Sequence, residues 1–464
     1  IDPTVSVRRY DQNRKVYPQD LVGEVHADGE IIAGSFWDLY LNLGDMSQML
    51  DLFKYTYDSG VDGPDGTEGI IYTDILLEVL YADDNDANLS NGTPNDMAII
   101  GAFDLHGITL LSNAIVSHTP VTSANANSGI IINASVGMTY PWALGSTNCY
   151  YRLNDNSTWN SLIMNGTTSF STTIPAQPSG TIIAYYISLD DSFGNESGVT
   201  PIAANIMPIR NANLPNFILV GFEMIEEEDF DANFGFWQTG GINDNATTGI
   251  WEIGVPIASY GDPQDPSTIC QTDAQHTIGG AQCAYTGNAS SINDGLGTND
   301  VDGGHTTLYS PYLTSNTNPA FSYYRWYTNS PYSGANPGAD WWQVMITNDG
   351  VNWQYVENNI SSDISWRKFA FRVSDYVSLT NNIQLKFIAS DSIRLGQNLD
   401  GGSLIEAAVD DLVLYEEKSS TTFLNQLSFT QPKLIKITNL LGEVVDHNNV
   451  LENIISTIVS KKLL

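Results

Sequence analysis

The sequence predicts a multidomain chain in which an α-helical N-terminal segment is followed by all-β sandwiches and a small C-terminal β unit. Three observations lead to this fold class. The 464 residues suffice for roughly three domains of ordinary size. Apolar residues recur at helical spacing up to residue 115, whereas from residue 116 onward they alternate in short runs separated by Gly, Asn and Asp. Hydrophobic residues make up 42% of the chain, which is enough for buried cores.

The charge balance restricts the classes of partner. Lys and Arg number 18 against 53 Asp and Glu, so the net charge is -35. Nucleic acids and anionic membrane surfaces are excluded as partners, because binding them requires clustered basic residues. Charged residues are only 15% of the chain, a composition that favours an exported β-protein, secreted or at the cell surface. Abundant carboxylate and amide oxygens favour Ca2+ as a bound ion.

The N-terminus and the cysteines bear on processing and compartment. The sequence has no apolar run long enough for a transmembrane helix. Residue 1 is Ile and no leader pattern follows, so we expect a mature product or a fragment of a longer protein. Cys270 and Cys283 flank a Gly- and Gln-containing loop, and in an exported protein we expect a disulfide there, the alternative being two free thiols. Cys149 is expected to be buried as a small apolar residue.

The segment 1–115 contains four predicted helices. Helical spacing of apolar residues predicts the first three over 29–43, 46–57 and 67–80. Thr93 followed by Pro94 is typical of an N-cap and a first helical position, so a fourth helix is predicted from there to near Gly107.

Alternating runs predict the β units. Strands over 130–136, 150–153 and 182–188 indicate an immunoglobulin-like sandwich over 116–210, followed by a linker over 211–215. A larger sandwich is predicted over 216–417, with a hairpin turn at Asn348-Asp349-Gly350 and strands over 320–327, 341–347, 366–373, 383–389 and 407–415. A short unit over 423–464 follows a hinge at 418–422.

His26 is the first candidate for chemistry. It lies in Gly23-Glu24-Val25-His26-Ala27-Asp28-Gly29-Glu30, just before the first predicted helix. A histidine in such a place can donate a hydrogen bond to a developing oxyanion, and the alternative is a solvated loop residue.

Three stretches resemble fungalysin-type metallopeptidases, which are relatives of thermolysin, over residues 1–115. They are "GEVHADGEIIAGSFWDL", the upstream Val7-Arg8-Arg9-Tyr10, and "YADDNDANLSNGTPNDMAIIGAFDLHGI". The resemblance implies a protein or peptide substrate, and it implies that His26 stabilises the tetrahedral intermediate. It also implies Arg8 as a second oxyanion ligand, with Arg9 able to take its place.

The zinc ligands of that family are missing. The sequence contains no His-Glu-x-x-His, and none of its six His are four positions apart. Zn2+ is therefore expected only in a full-length parent protein, and this chain alone is predicted to be inactive. The family's Asp that orients the catalytic His corresponds to Leu21, which leaves Asp20 or Glu24 for that role.

The first of two predicted calcium sites is the loop from Asp84 to Asn88. Asp84, Asp86 and Asn88 place oxygen-bearing side chains at alternate positions, as in the first half of a calcium loop, although Asn95 stands where the last ligand should be a Glu. The alternative is a plain turn before a helix.

The large sandwich resembles the jelly-roll-like modules of secreted peptidases and carbohydrate-binding modules. That resemblance implies that Ca2+ ties its first and last strands through Glu223 and Asp410 or Asp411, with Asp302 as a further ligand. The alternative is an acidic strand end facing water. A set of aromatic residues in this unit forms either a sugar-stacking platform or part of the core: Tyr323, Tyr324, Trp326, Trp341 and Trp342.

The C-terminal unit resembles the sorting domain of type IX secretion in Bacteroidetes. The resemblance rests on the alternating stretch "KLIKITNLLGEVV" over 433–445, with a turn at Leu441-Gly442, and on the ending Val459-Ser460-Lys461-Lys462-Leu463-Leu464. The Tyr-Pro-Asn-Pro element of the family is absent, and its Gly-x-Tyr strand start is replaced by Asn453-Ile454-Ile455. The resemblance implies the type IX secretion machinery as a partner.

Taken together, the sequence predicts the C-terminal portion of an exported zinc metalloendopeptidase. The rival hypothesis is a non-enzymatic adhesion or carbohydrate-binding protein that attaches to a polysaccharide or cell-surface ligand.

Overall fold

A computed structural model describes most of residues 9–418. Arg8 lies outside the described residues, and so does the predicted sorting domain over 423–464 on which the type IX resemblance rests. Within 9–418 the positions left out are residue 12, 18–19, 21–24, 59–67, 112–113, 139–140, 155, 195, 202–213, 232–235, 261–268, 288, 292–293, 295–296, 315–316, 335–339, 361–362 and 392–402.

Four α-helices lie in the described part of the N-terminal segment, as predicted. They are α1 (Val25–Leu43), α2 (Met46–Asp58), α3 (Glu68–Asp83) and α4 (Asp96–Asp104). α1 packs against α2 and α4, and α3 packs against α2 and α4. The apolar face of α1, which includes Ile31, Phe36 and Leu39, is buried in the core. α1 begins at Val25 rather than at residue 29, so His26 lies in the first helical turn and not before it.

The predicted start of the fourth helix was wrong. Helix α4 begins at Asp96 with Asn95 as its N-cap residue, and Thr93 does not cap it. Thr93 Oγ1 instead donates a hydrogen bond of 2.6 Å to Asp83 Oδ2, and Asn95 donates to the same carboxylate from its backbone N–H. The Asp83 carboxylate, at the end of α3, therefore binds both the Thr93 hydroxyl and the Asn95 N–H, two groups that the predicted cap would have joined to each other.

The first sandwich follows the helices and contains two sheets. One sheet has the strand order β1-β3-β7-β6, and the other has the order β2-β10-β8-β4-β5 with β9 paired to β8. Its strands are β1 (Ile115–Ser117), β2 (Ser123–Ala124), β3 (Ile130–Gly137), β4 (Leu144–Leu153), β5 (Asn160–Ile163), β6 (Asn165–Gly166), β7 (Ser169–Ile174), β8 (Thr181–Asp191), β9 (Glu196–Thr200) and β10 (Asn216–Val220). Along β3 buried and exposed residues alternate without interruption, as the sequence predicted.

The boundary between the two β units is not at residue 216. Strand β10 pairs antiparallel with β8 and parallel with β2, so it completes a sheet of the first sandwich. The second sandwich therefore begins after Val220. The apolar run of β10 fits either sheet, and only the pairing decides which one it joins.

The second sandwich also contains two sheets. They have the orders β13-β14-β21-β16-β19, with β11 paired to β21, and β12-β15-β20-β17-β18. Its strands are β11 (Phe222–Glu228), β12 (Gln238–Thr239), β13 (Trp251–Gly254), β14 (Cys283–Thr286), β15 (Gly304–Tyr309), β16 (Ala320–Gly334), β17 (Trp341–Thr347), β18 (Trp353–Asn359), β19 (Asp363–Arg372), β20 (Gln384–Asp391) and β21 (Ser403–Glu417). The predicted hairpin joins β17 to β18, with Gly350 at a φ of 75°.

The two sandwiches share a packed junction. The rings of Phe217 on β10 and Phe369 on β19 lie 5.0 Å apart between centroids. Arg372 donates a hydrogen bond of 3.3 Å to the carbonyl of Gly180, and Arg367 donates one to the carbonyl of Leu214. Apolar packing with hydrogen bonds across the junction holds the two sandwiches in one arrangement.

Candidate functional sites

His26 is exposed at the N-terminal turn of α1. Asp28, two residues later, is buried, and its carbonyl accepts a hydrogen bond of 2.8 Å from Tyr72 Oη on α3. This bond ties the first turn of α1 to α3. Asp20, one of the two acids considered for orienting His26, accepts a hydrogen bond of 2.7 Å from the Val16 N–H. Glu24, the other, lies outside the described residues.

The loop from Asp84 to Asn88 is a series of side-chain turns. Asp84 Oδ1 accepts from the Asp86 N–H at 3.2 Å, Asp86 Oδ1 from the Asn88 N–H at 3.1 Å, and Asn88 Oδ1 from the Ser90 N–H at 3.3 Å. Asn95, at the position of the twelfth ligand, donates to Asp83. These bonds are those of the plain turn, and calcium binding at this loop stays a prediction.

The strand register separates the residues predicted to hold calcium in the second sandwich. Glu223 on β11 pairs with Glu416, five positions beyond Asp411 on β21, which places it about 16 Å from Asp411 along the strand. Asp302 Oδ2 accepts from Thr248 Oγ1 at 3.2 Å. Glu223 therefore cannot share one ion with Asp410 or Asp411. Among the described residues, no three His, Cys, Asp or Glu side chains are grouped so as to hold a metal ion.

Asp410 and Asp411 instead hold the loop that precedes β14. Asp410 Oδ2 accepts hydrogen bonds from the N–H groups of His276 at 2.7 Å and Thr277 at 3.3 Å. Asp411 Oδ2 lies 2.5 Å from His276 Nδ1, and Asp411 Oδ1 accepts from Thr277 Oγ1 at 2.5 Å. Asp411 has a φ of 47° at a bulge between β21 and β16, which lets consecutive carboxylates face the same loop.

The two neighbouring carboxylates differ in their proton affinity. Burial, and then the charge of Asp411, raise the pKa of Asp410 to about 7. Burial also acts to raise the pKa of Asp411, but the hydrogen bonds from His276 and Thr277 outweigh it, and the net shift is downward. Asp411 is therefore the anionic carboxylate that faces His276, and Asp410 is partly protonated near neutral pH.

The predicted disulfide is not present, since Cys270 and Cys283 are both free and buried. Burial raises the pKa of both thiols, with a further contribution from Glu406 at Cys270 and from Asp410 at Cys283. Cys149 is buried, as predicted.

A buried acidic cluster was missed by the sequence analysis. Glu406 accepts from Gln271 Nε2 at 3.0 Å and from Thr286 Oγ1 at 3.3 Å. Burial, and then the charge of Asp300, raise the pKa of Glu406 well above its usual value. Burial, and then the charge of Asp302, raise the pKa of Asp300 to about 7. The only sequence signal was one acid within the apolar stretch Leu404 to Val409.

These raised values predict how stability depends on pH. Asp300 and Asp410 have pKa values of about 7 in the folded chain, against about 3.9 for an unfolded Asp. The folded state therefore binds more protons between these values, and stability is lost as pH rises through 7. We expect the melting temperature of the second sandwich to rise by several degrees from pH 8 to pH 5.

Differential scanning calorimetry over this pH range checks the prediction. Asp300→Asn should flatten the dependence, because it removes one of the groups that gain a proton on folding. The exposed Glu223→Gln, which removes the same charge from the surface, should leave the slope close to that of the parent chain. A melting temperature that falls steadily from pH 8 to pH 5 would contradict the prediction.

The aromatic residues predicted as either platform or core differ in burial, and the platform stays a prediction. Tyr323, Trp326 and Trp342 are buried in the second sandwich. Tyr324 and Trp341 are half-buried. Tyr324 lines a groove of about 370 Å³ at the junction of the two sandwiches, together with Trp366, which the sequence analysis did not single out. The remaining lining includes Pro120, Thr122, Pro201, Asn216 and Lys368.

The arrangement defines a class of protein: a multidomain chain of four helices followed by β-sandwiches. No protein-family model matches the chain, and no curated protein matches it. A solved structure described as a carbohydrate-binding module from the β-sandwich superfamily is similar at 10% identity and a TM-score of 0.23, over 65% of this chain and 96% of its own. A cycloalternan-degrading enzyme from Trueperella pyogenes is similar at 10% identity and a TM-score of 0.15, over 64% of this chain and 34% of its own. Likenesses at this level carry no functional argument.

The described helices are all too short or too polar to cross a membrane.

Proposed function

We propose that the chain is the C-terminal portion of an exported zinc metalloendopeptidase, in which the helical segment belongs to the catalytic domain and the β-sandwiches attach the enzyme to its substrate or to a surface. The proposal includes secretion through the type IX machinery and Ca2+ as a structural ion. It rests on the fungalysin-like stretches around His26 and on one structural observation in the helical segment.

That observation is an exposed apolar stripe on α2, formed by Met46, Leu50, Phe53 and Tyr57. At 100° per residue these four positions fall within a sector of about 60°. A neighbouring face of the same helix, with Met49 and Leu52, is already buried in the helical core.

A helix with apolar residues on two faces is typical of one that is covered on both sides. Among the described residues, these four side chains stay partly exposed, and the rings of Phe53 and Tyr57 also contact the buried Phe36. An exposed contiguous apolar surface marks an interaction site. We propose that the part of the catalytic domain that carries the zinc helix packs on this surface.

The first test separates this chain from the longer polypeptide. Because the zinc ligand set is missing, the 464-residue chain should not hydrolyse casein with or without added zinc. A polypeptide extended upstream to include a His-Glu-x-x-His helix and its downstream Glu should hydrolyse casein, and 1,10-phenanthroline should abolish that activity. Zinc-dependent hydrolysis by the short chain would contradict the prediction.

The second candidate is a non-enzymatic adhesion or carbohydrate-binding protein whose helical segment is a relic. The groove at the junction of the sandwiches fits the attachment role in both candidates and does not discriminate between them. The coding sequence upstream of Ile1 discriminates between them. An in-frame zinc motif preceded by a propeptide supports the peptidase, and a start codon beside Ile1 supports the rival.

A further inference from the structure

The groove at the junction of the two sandwiches has walls from both. Thr122, Pro201 and Asn216 come from the first sandwich, and Trp366 and Lys368 come from β19 of the second. The ring of Phe217, which also lines the groove, packs on the ring of Phe369 across the junction. A volume of about 370 Å³ is at the lower end of the range of small-molecule sites.

Three aromatic rings line the groove, and two of them, Trp366 and Tyr324, are fixed by contacts with residues outside the lining. Trp366 Nε1 donates a hydrogen bond of 3.0 Å to the carbonyl of Ala274. The ring of Tyr324 is stacked on the imidazole of His276, with centroids 3.5 Å apart and planes 17° from parallel. His276 is itself fixed by Asp411, at 2.5 Å. Rings that are already ordered lose little conformational entropy when a ligand packs on them.

Two cationic side chains line the groove, Lys368 and Arg367, and Arg367 donates a hydrogen bond to the carbonyl of Leu214. Lys368 is the cationic group beside Tyr324, with its Nζ 5.8 Å from the centre of that ring. Burial lowers the pKa of Lys368, and the charges of Asp411 and then Glu227 oppose that shift. An anionic ligand is repelled by a chain whose net charge is -35.

The remaining polar lining consists of neutral hydrogen-bonding groups, namely the side chains of Thr122, Asn216 and Ser365. Ordered aromatic rings beside neutral amide and hydroxyl groups suit a ligand with both C–H faces and hydroxyl groups. We infer that the junction groove binds a neutral carbohydrate chain, with Trp366 and Tyr324 packing against a sugar ring. This inference rests on the attachment role proposed for the sandwiches and is independent of the peptidase assignment.

The test uses the full chain in native gels that contain a neutral glucan, xylan, mannan or galactan, followed by calorimetric titration with oligosaccharides of the polysaccharide that retards it most. We expect at least one to retard the chain. Trp366→Ala should weaken binding at least tenfold. Thr122→Trp should do the same by filling the groove from the opposite wall, without touching the loop that Trp366 contacts.

Trp353→Ala is the matched control. Trp353 is also half-buried and has a cation over its ring, Lys386 Nζ at 4.4 Å, but it lies on β18 in the other sheet. Its removal should leave binding unchanged. If Trp366→Ala fails to fold, Thr122→Trp decides the outcome.

Three results would overturn the inference in distinguishable ways. If a polysaccharide binds but both groove variants retain it, the groove assignment is wrong and the attachment role stands. If no neutral polysaccharide binds, and the chain instead binds polyuronate or a proline-rich peptide in a way that Trp366→Ala abolishes, the ligand class is wrong. If nothing binds, the carbohydrate inference is wrong and the attachment role loses its support.

Discussion

Replacing Glu357 with Ala is expected to lower the free energy of unfolding of the second sandwich by about 3–5 kcal/mol, the typical cost of removing one partner of a buried ion pair. Glu357 Oε2 lies 3.2 Å from Arg325 Nε, and both side chains are almost completely buried. The other carboxylate oxygen accepts hydrogen bonds from Tyr323 Oη at 2.6 Å and Trp342 Nε1 at 2.9 Å. Alanine would leave a buried guanidinium without its counter-charge and two buried donors without their acceptor.

Urea unfolding followed by tryptophan fluorescence measures this loss. Glu223→Ala is the control, because Glu223 is exposed on the edge strand β11 and its removal should change the free energy of unfolding by no more than about 0.5 kcal/mol. Glu357→Gln should fall between the two, since the amide oxygen can still accept while the charge is lost. A loss below about 1 kcal/mol for Glu357→Ala would show that the pair is not a major source of stability.

Replacing His26 with Phe in the longer, zinc-containing polypeptide is expected to lower turnover by about a hundredfold to a thousandfold, the usual effect of removing one oxyanion donor. The proposed role of His26 is to donate a hydrogen bond to the oxyanion formed when water attacks the scissile carbonyl. That charge is present in the transition state and absent in the substrate, so turnover should fall more than substrate affinity. The exposed place of His26 in the first turn of α1 leaves it accessible to a substrate.

His305→Phe is the matched control for this experiment. His305 lies on β15 in the second sandwich, 3.5 Å from Asp244, and should not affect turnover. Zinc content and melting temperature must match the parent in both variants. If turnover of His26→Phe stays within about threefold of the parent while zinc is retained, the catalytic role carried over from the fungalysin resemblance is wrong.

Local pattern predicted the elements of secondary structure well. The 3.6-residue recurrence of apolar side chains predicted four helices, and α2 begins at the predicted residue. Alternation predicted β17 with both ends correct, and it predicted the inner face of β3. These patterns succeed because each residue faces a core or the solvent according to its own position in the element.

The candidate sites were less predictable, because their members lie far apart in the sequence. Asp410 and Asp411 were recognised as an acidic pair, but their partners His276 and Thr277 are more than a hundred residues upstream. Trp366 gave no signal of its own, since one half-buried tryptophan in a strand pattern resembles any core aromatic residue. The groove exists only where β19 meets the end of the first sandwich.

By itself, the sequence determined the order of secondary-structure classes along the chain, helices first and β-strands after, together with its strongly acidic charge balance. The tertiary structure alone decided which sheet β10 joins, which carboxylates meet, and that Cys270 and Cys283 are not joined in a disulfide. The physical reason is that periodicity reports the environment of one residue, whereas strand register pairs residues without regard to their distance along the chain. The bulge at Asp411 has no sequence signature, and it turns two adjacent acids toward one loop.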